Sequence, residues 1–197
     1  MNYIYADHAA TTATSSAARD AMIDCMENYF GNPSSLHTPG QKAAEKLWES
    51  REIMAKYLHA KPEEIYFTSG GSEADNQALL TAAMIGKKKG KRHIISTAFE
   101  HHAVLHSLRR LEKEGFEVTL LPVHENGIVR LDELKAAVRE DTICVSVMYA
   151  NNEIGTVQPI AEIGAFCREK GILFHTDAVQ AAGRLDIDVV KENIDFL

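Results

Sequence analysis

The chain has only three cysteines, Cys25, Cys144 and Cys167, and no two of them form a CxxC pair. That excludes a zinc ribbon and a disulfide framework, and each cysteine reads as a small buried apolar residue. Basic charge is also scarce. The net charge is −7, which argues against the basic face of a nucleic-acid binder. Lys87-Lys88-Lys89 with Lys91 and Arg92 is the only basic run, and its place between a helix and a strand suits a solvated loop. No apolar run approaches the ~20 residues that span a bilayer. Met1 to Asp7 lack the basic and apolar regions of a signal peptide. The expectation is a cytoplasmic protein with no nucleic-acid or membrane partner. Internal repeats and low-complexity tracts are missing too.

Against these absences stand 45% hydrophobic and 25% charged residues, ordinary values for a globular chain. A length of 197 residues allows one large domain or one and a half, at roughly 150 residues per domain. Tyr3 to Thr14 begin extended and turn polar. A helix capped by Ser15 or Ser16 follows, with an apolar stripe of Met22, Ile23, Met26, Tyr29 and Phe30, and Gly31-Asn32-Pro33 stops it. A long helix is predicted from about Pro39 to Leu58. From Ile65 the pattern alternates between strand and helix. Strands are predicted over Ile65–Thr68, His93–Ser96, Glu117–Leu121, Ile143–Met148 and Ile172–His175, and amphipathic helices over Leu131–Arg139 and Ile160–Lys170. Asn126-Gly127 marks a hairpin or tight turn. Such alternation predicts an α/β fold with a mainly parallel sheet flanked by helices.

Four stretches at predicted strand ends carry chemistry. His175-Thr176-Asp177-Ala178-Val179-Gln180 closes an apolar run and delivers a carboxylate where ligands of open α/β sheets bind. Asp177 suits the protonated ring nitrogen of pyridoxal phosphate, or caps the following turn. Thr68-Ser69-Gly70-Gly71-Ser72-Glu73 turns a strand into a helix. Its glycines, amides and the Ser72 hydroxyl suit a phosphate, or Ser72 and Asp75 form a loose capping box. It matches neither G-x-x-x-x-G-K-[ST] nor G-x-G-x-x-G, so a nucleoside triphosphate or dinucleotide is not supported. Glu100-His101-His102 opens another helix with an imidazole that can stack on a flat ring and move protons. His102 and His106 share a helical face, but no third ligand stands nearby, and no metal site is expected. Asn151-Asn152-Glu153-Ile154-Gly155 offers carboxamides to a ligand oxygen, or forms an Asx-type turn.

Asp7-His8-Ala9-Ala10-Thr11-Thr12, Gly31-Asn32-Pro33-Ser34-Ser35-Leu36-His37, the Thr68–Asn76 turn, Glu100-His101, Asn151 to Gly155 and His175 to Gln180 follow one another through essentially the whole chain. Together they resemble the cysteine desulfurases, class-V members of the fold-type I pyridoxal-phosphate enzymes. The resemblance implies a transferase-like large domain over residues 15–197. Residues 1–14 then form a segment that in the family goes with the small domain. It implies that Gly71 and Ser72 hold the cofactor phosphate, that His101 stacks on the ring and shuttles protons, and that Asp177 meets the ring nitrogen. Asn152 and Gln180 fall by the ring hydroxyl oxygen. In such enzymes L-cysteine replaces a lysine on the cofactor aldehyde and loses its α-proton. A cysteine thiolate then attacks the substrate sulfur, leaving alanine and an enzyme persulfide. The family also implies a homodimer at full length and a sulfur-acceptor protein, iron–sulfur cluster assembly being one destination.

The chain departs from the family in what it lacks, the cofactor lysine and the sulfur-accepting cysteine. The cofactor lysine normally follows a Ser-x-His context shortly after Asp-x-x-Gln, and counting forward puts it just past Leu197. No Ser-x-His-Lys is present, Lys191 does not match, and no cysteine lies in the context of the family nucleophile. The expectation is therefore the N-terminal portion of a cysteine desulfurase, truncated before the cofactor lysine and inactive by itself. The alternatives are another class-V enzyme, such as a selenocysteine lyase or an aminotransferase, and a lysine-less remnant serving as a binding module.

Overall fold

His93–Thr97 is buried at every position, as befits a strand covered on both faces. This strand, β1, pairs in parallel with β2 (Glu117–Leu121) on one side and with β3 (Thr142–Ser146) on the other. β3 pairs in turn with β4 (Leu173–His175), also parallel, so the sheet runs β2-β1-β3-β4. The computed structural model describes residues 4–197. Met1, Asn2 and Tyr3, where the expected extended N-terminal stretch begins, lie outside the described residues.

The chain divides into two units, one up to Tyr66 and one from Phe67 onward. The first holds α1 (Ser16–Asn28), α2 (Thr38–Leu58) and a single 3-10 turn at Pro62–Glu64. Ser15 caps α1, its Oγ accepting from the Ala18 N–H at 3.2 Å. The apolar stripe on α1 is not buried: Met22, Ile23, Met26 and Phe30 stand exposed. His37 caps α2 through Nδ1, and His59 ends it in the left-handed conformation at φ 57°. Gly31 allows the chain to pass against the Pro39 carbonyl, where a Cβ would collide.

The second unit is the α/β layer. α3 (Gly71–Lys88) and α4 (His102–Lys113) pack Leu79, Ala82, Val104, Leu108 and Leu111 against Ile94 and Ile143 of the sheet. α5 (Leu131–Ala137) and α6 (Ile160–Lys170) complete the helices, with Leu134, Ile163 and Cys167 buried. The tight turn at Asn126-Gly127 forms, with Gly127 at φ 67°. Leu131–Arg139 proves shorter than predicted because Val138 leaves helical geometry at φ −70°, ψ 134°.

The strand predicted over Ile65–Thr68 is not there. The segment forms no ladder with any described strand, and Tyr66 and Phe67 are 72% and 50% exposed. A β-propensity pattern needs a neighbour to bond to, and none of the described strands pairs with it.

β1 leads through α4 to β2 on one side, while β3 leads through α6 to β4 on the other. The connections part between β1 and β3. In open α/β sheets ligands bind in such a crevice, beyond the carboxyl ends of the strands.

Candidate active site

All six expected site residues, Gly71, Ser72, His101, Asn152, Asp177 and Gln180, lie in the second unit, in the turns beyond the strand ends or at a helix start. Asp177 follows β4 and is only 6% exposed. Its Oδ1 accepts the Val179 N–H at 3.0 Å, so the capping alternative is real for one oxygen. Oδ2 takes no hydrogen bond among the described residues. Burial pushes this carboxyl above its ordinary range, and the negative charge of Asp75 pushes it further. The Val179 amide, His175 and His101 pull the other way.

Three observations bring the other turns to Asp177. A Cβ at Gly71 would lie 2.7 Å from Val179 Cγ2, so the start of α3 runs against the turn that carries Asp177. The Tyr149 N–H donates to the Asp177 carbonyl at 2.8 Å, fastening the end of β3 to that of β4. His101 is close enough for its charge to act on Asp177.

At the start of α3 no side chain caps the helix, and the amides of Gly71 and Ser72 have no partner among the described residues. The expected alternative of a Ser72 and Asp75 capping box is overturned. Glu73 reaches back to the Ser69 N–H and hydroxyl, both at 2.6 Å, while Asp75 turns inward toward His175. These bonds to Ser69 hold the Glu73 carboxyl below its usual range. Ser72 is exposed.

His101 caps α4, its Nδ1 accepting from the Ala103 N–H at 3.2 Å, and its ring is exposed. In the Asn151-Asn152 pair the two alternatives separate by residue. Asn151 is buried and forms the Asx turn, its Oδ1 accepting from the Glu153 and Ile154 amides at 2.9 Å each. Asn152 is half-buried, and its Nδ2 donates to the Glu153 carboxylate at 3.1 Å. Gln180 turns its Oε1 to Arg184 Nη1 at 2.6 Å.

Beneath these groups lies a second set that sequence reading assigned no role. Glu100 is 4% exposed, and its Oε1 accepts from Thr97 Oγ1 at 2.6 Å and from the Met148 N–H at 2.9 Å. Oε2 is buried without a hydrogen-bond partner among the described residues. Burial drives this carboxyl up to about 8, against the pull of its two hydrogen bonds, and Asp177 and Asp75 add to the rise. His175 places Nδ1 2.8 Å from Ser146 Oγ. A Glu just before the expected His was visible in the sequence, but nothing there indicated that it would turn inward.

A profile of the class-V aminotransferases matches residues 4–197. The chain belongs to that family. It is a family of pyridoxal-phosphate enzymes. Among its relatives, cysteine desulfurase IscS of Clostridium botulinum (strain Kyoto / Type A2) is 54% identical over 194 residues, which are 98% of this chain and 49% of the relative. A solved structure of a NifS-like protein superposes with a TM-score of 0.91 at 40% identity, covering 96% of this chain and 52% of that one. A structure described as SspA in complex with cysteine gives 0.89 at 39% identity, covering 96% and 54%. The chain thus spans about half the length of the relatives it matches.

Among the described residues no group of histidines, cysteines and acids could hold a metal ion. His102 and His106 lie with ring centroids 5.5 Å apart and tilted by 50°. Cys144 and Cys167 are buried, and burial pushes both thiols up, that of Cys167 to about 12, so neither is a ready nucleophile. The grooves lined by Ala44, Glu45, Trp48 and Glu49 and by Asn28, Tyr29, Lys42 and Lys46 lie in the first unit and contain none of the site residues. No helix among the described residues is long and apolar enough to cross a membrane.

Proposed function

We propose that this chain forms the pyridoxal-phosphate-binding part of a cysteine desulfurase. The observation that carries this reading is Asp177, a buried carboxylate at a strand end with one oxygen spent on its own turn and the other open. Such a group costs free energy unless a cation or donor meets it. A protonated ring nitrogen supplies both at once. The residues present fit the cofactor in a second respect, because the unpartnered amides of Gly71 and Ser72 begin a helix, where an anion is favoured.

Gly71 and Ser72 accordingly hold the phosphate. Asp177 holds the proton on the ring nitrogen, and its raised carboxyl comes down when that cation arrives. Asn152 and Gln180 donate to the ring oxygen, Gln180 with its own oxygen already engaged by Arg184. His101, exposed at the mouth of the crevice, takes and returns the proton of the substrate carbon. When bound, the cofactor supplies an electron sink for that carbon. The substrate is L-cysteine, in keeping with the names of the relatives and the cysteine complex of SspA. At full length we place it in the cytoplasm as a homodimer passing sulfur to an acceptor protein, iron–sulfur cluster assembly being one destination.

Equilibrium titration of the 197-residue chain with pyridoxal phosphate, followed by cofactor absorbance, tests the reading. Saturable binding is expected, weakened at least about tenfold by Asp177→Asn, since a charged hydrogen bond is worth about 1.5–3 kcal/mol. Equal affinity in the variant, or no saturation in the wild type, would overturn it.

A further inference from the structure

The crevice between the carboxyl ends of β1 and β3 is bridged from below. The segment after β1 carries Glu100 and His101, and the segment after β3 carries Met148, Asn151 and Asn152. Two side chains cross the gap. Glu100 Oε1 accepts from the Met148 N–H at 2.9 Å, and Asn151 Nδ2 donates to the Phe99 carbonyl at 3.2 Å. Parallel strands with diverging connections have no turn to join their tips, so these contacts fix the spacing.

We propose that Glu100 is a positioning residue, whose carboxyl locks the His101 segment to the Asn151-Asn152 turn across the crevice above Asp177. The proposal rests on the functional reading above for what the crevice holds, but not for the lock itself.

The chemistry of the carboxyl supports this role. Oε1 accepts two hydrogen bonds, which leaves Oε2, without a partner among the described residues, as the oxygen that would bear a proton. A neutral acid suits the place, because the charged groups around it are mostly acidic. Asp75 approaches from α3 and Asp177 from the turn after β4, while His175 on β4 and His101 at the α4 cap face Asp177. An ionised Glu100 would add a third negative charge with no cation of its own. It would repel the Asp177 carboxylate that the ring nitrogen needs.

The test uses Glu100→Gln and Glu100→Ala in the 197-residue chain. The glutamine carbonyl accepts the same two hydrogen bonds and stays neutral at every pH, whereas alanine removes the lock. The first readout, made without cofactor, is the backbone amide resonances of Met148 and His101. The expected result is wild-type shifts in Glu100→Gln at pH 7 and displaced or broadened ones in Glu100→Ala. Raising the pH through about 8 should move the Met148 amide in the wild type and leave Glu100→Gln unmoved. The second readout is pyridoxal-phosphate affinity at pH 7, unchanged within about twofold in Glu100→Gln and reduced about tenfold in Glu100→Ala, as for the loss of two neutral hydrogen bonds.

Unchanged Met148 and His101 resonances in Glu100→Ala would overturn the proposal, as would a Glu100→Gln chain displaced as far as Glu100→Ala at pH 7. Should Glu100→Ala fail to fold, the pH arm decides: a Met148 shift shared by wild type and Glu100→Gln sinks the lock, and one confined to the wild type upholds it. Absence of cofactor binding in the wild type would defeat the functional reading alone, because the resonance readout needs no cofactor.

Discussion

His175 Nε2 lies 3.4 Å from Asp75 Oδ1, their side chains only 1% and 6% exposed. The two atoms are close without meeting in hydrogen-bond geometry. The pair ties β4 to α3 under the turn that carries Asp177, so two elements far apart in sequence share one charge balance. Asp75 acts on Asp177 through its charge.

That balance can be shifted. Asp75→Asn removes one of the negative charges that hold the Asp177 carboxyl up. With less repulsion the ionised form is favoured, and Asp177 should titrate at lower pH than in the wild type. Carboxyl-carbon NMR across an acid titration checks this, and an unmoved Asp177 midpoint would show burial acting alone.

The approach of Gly71 to Val179 makes a second prediction. Alanine in place of glycine favours a helix by up to about 1 kcal/mol. Here its Cβ would meet Val179 Cγ2 at 2.7 Å, so the gain is spent on moving Val179. Gly71→Ala should therefore stabilise a Val179→Ala chain by about 1 kcal/mol more than it stabilises the wild type. Urea unfolding of the four chains in a double-mutant cycle measures the coupling, and a coupling near zero would separate the two turns.

At the opposite end of the sheet His93 is fully buried, with Nδ1 2.8 Å from Thr142 Oγ1 and Nε2 2.8 Å from Thr119 Oγ1. Burial, and then the Arg139 charge, lower its protonation below the usual imidazole value of 6.5, while Asp141 and Glu117 oppose them weakly. The unfolded chain thus binds a proton more readily than the folded one. The stability contributed by neutral His93 is present above pH 6.5 and is lost as the pH falls through the folded value. Urea midpoints should fall between pH 7.5 and pH 5, and fall less in His93→Gln, which starts lower by about 1–2 kcal/mol for its lost hydrogen bonds. Equal slopes in both chains would remove His93 as the cause.

Much of this architecture was legible in the residues. Ser15 capping α1 and the turn at Asn126-Gly127 stand where short-range signals put them. The strand-end residues were legible for the same reason: each turn carries its own polar chemistry beside an apolar run. Ile65–Thr68 misled because its β-branched and aromatic pattern is the same whether or not a strand lies beside it. The α1 helix formed as its periodicity predicts, but periodicity marks an apolar face and not what covers that face.

Local chemistry alone determined where the caps and tight turns fall, because they depend on neighbours a few positions away. Tertiary structure alone decided which polar groups turn inward beneath it. Glu100 meets Met148, Asp75 meets His175 and Gly71 meets Val179 only when the strands have ordered themselves β2-β1-β3-β4. The charge state of a carboxyl such as Glu100 depends on the burial and neighbouring acids that this ordering creates, and neither exists in the unfolded chain.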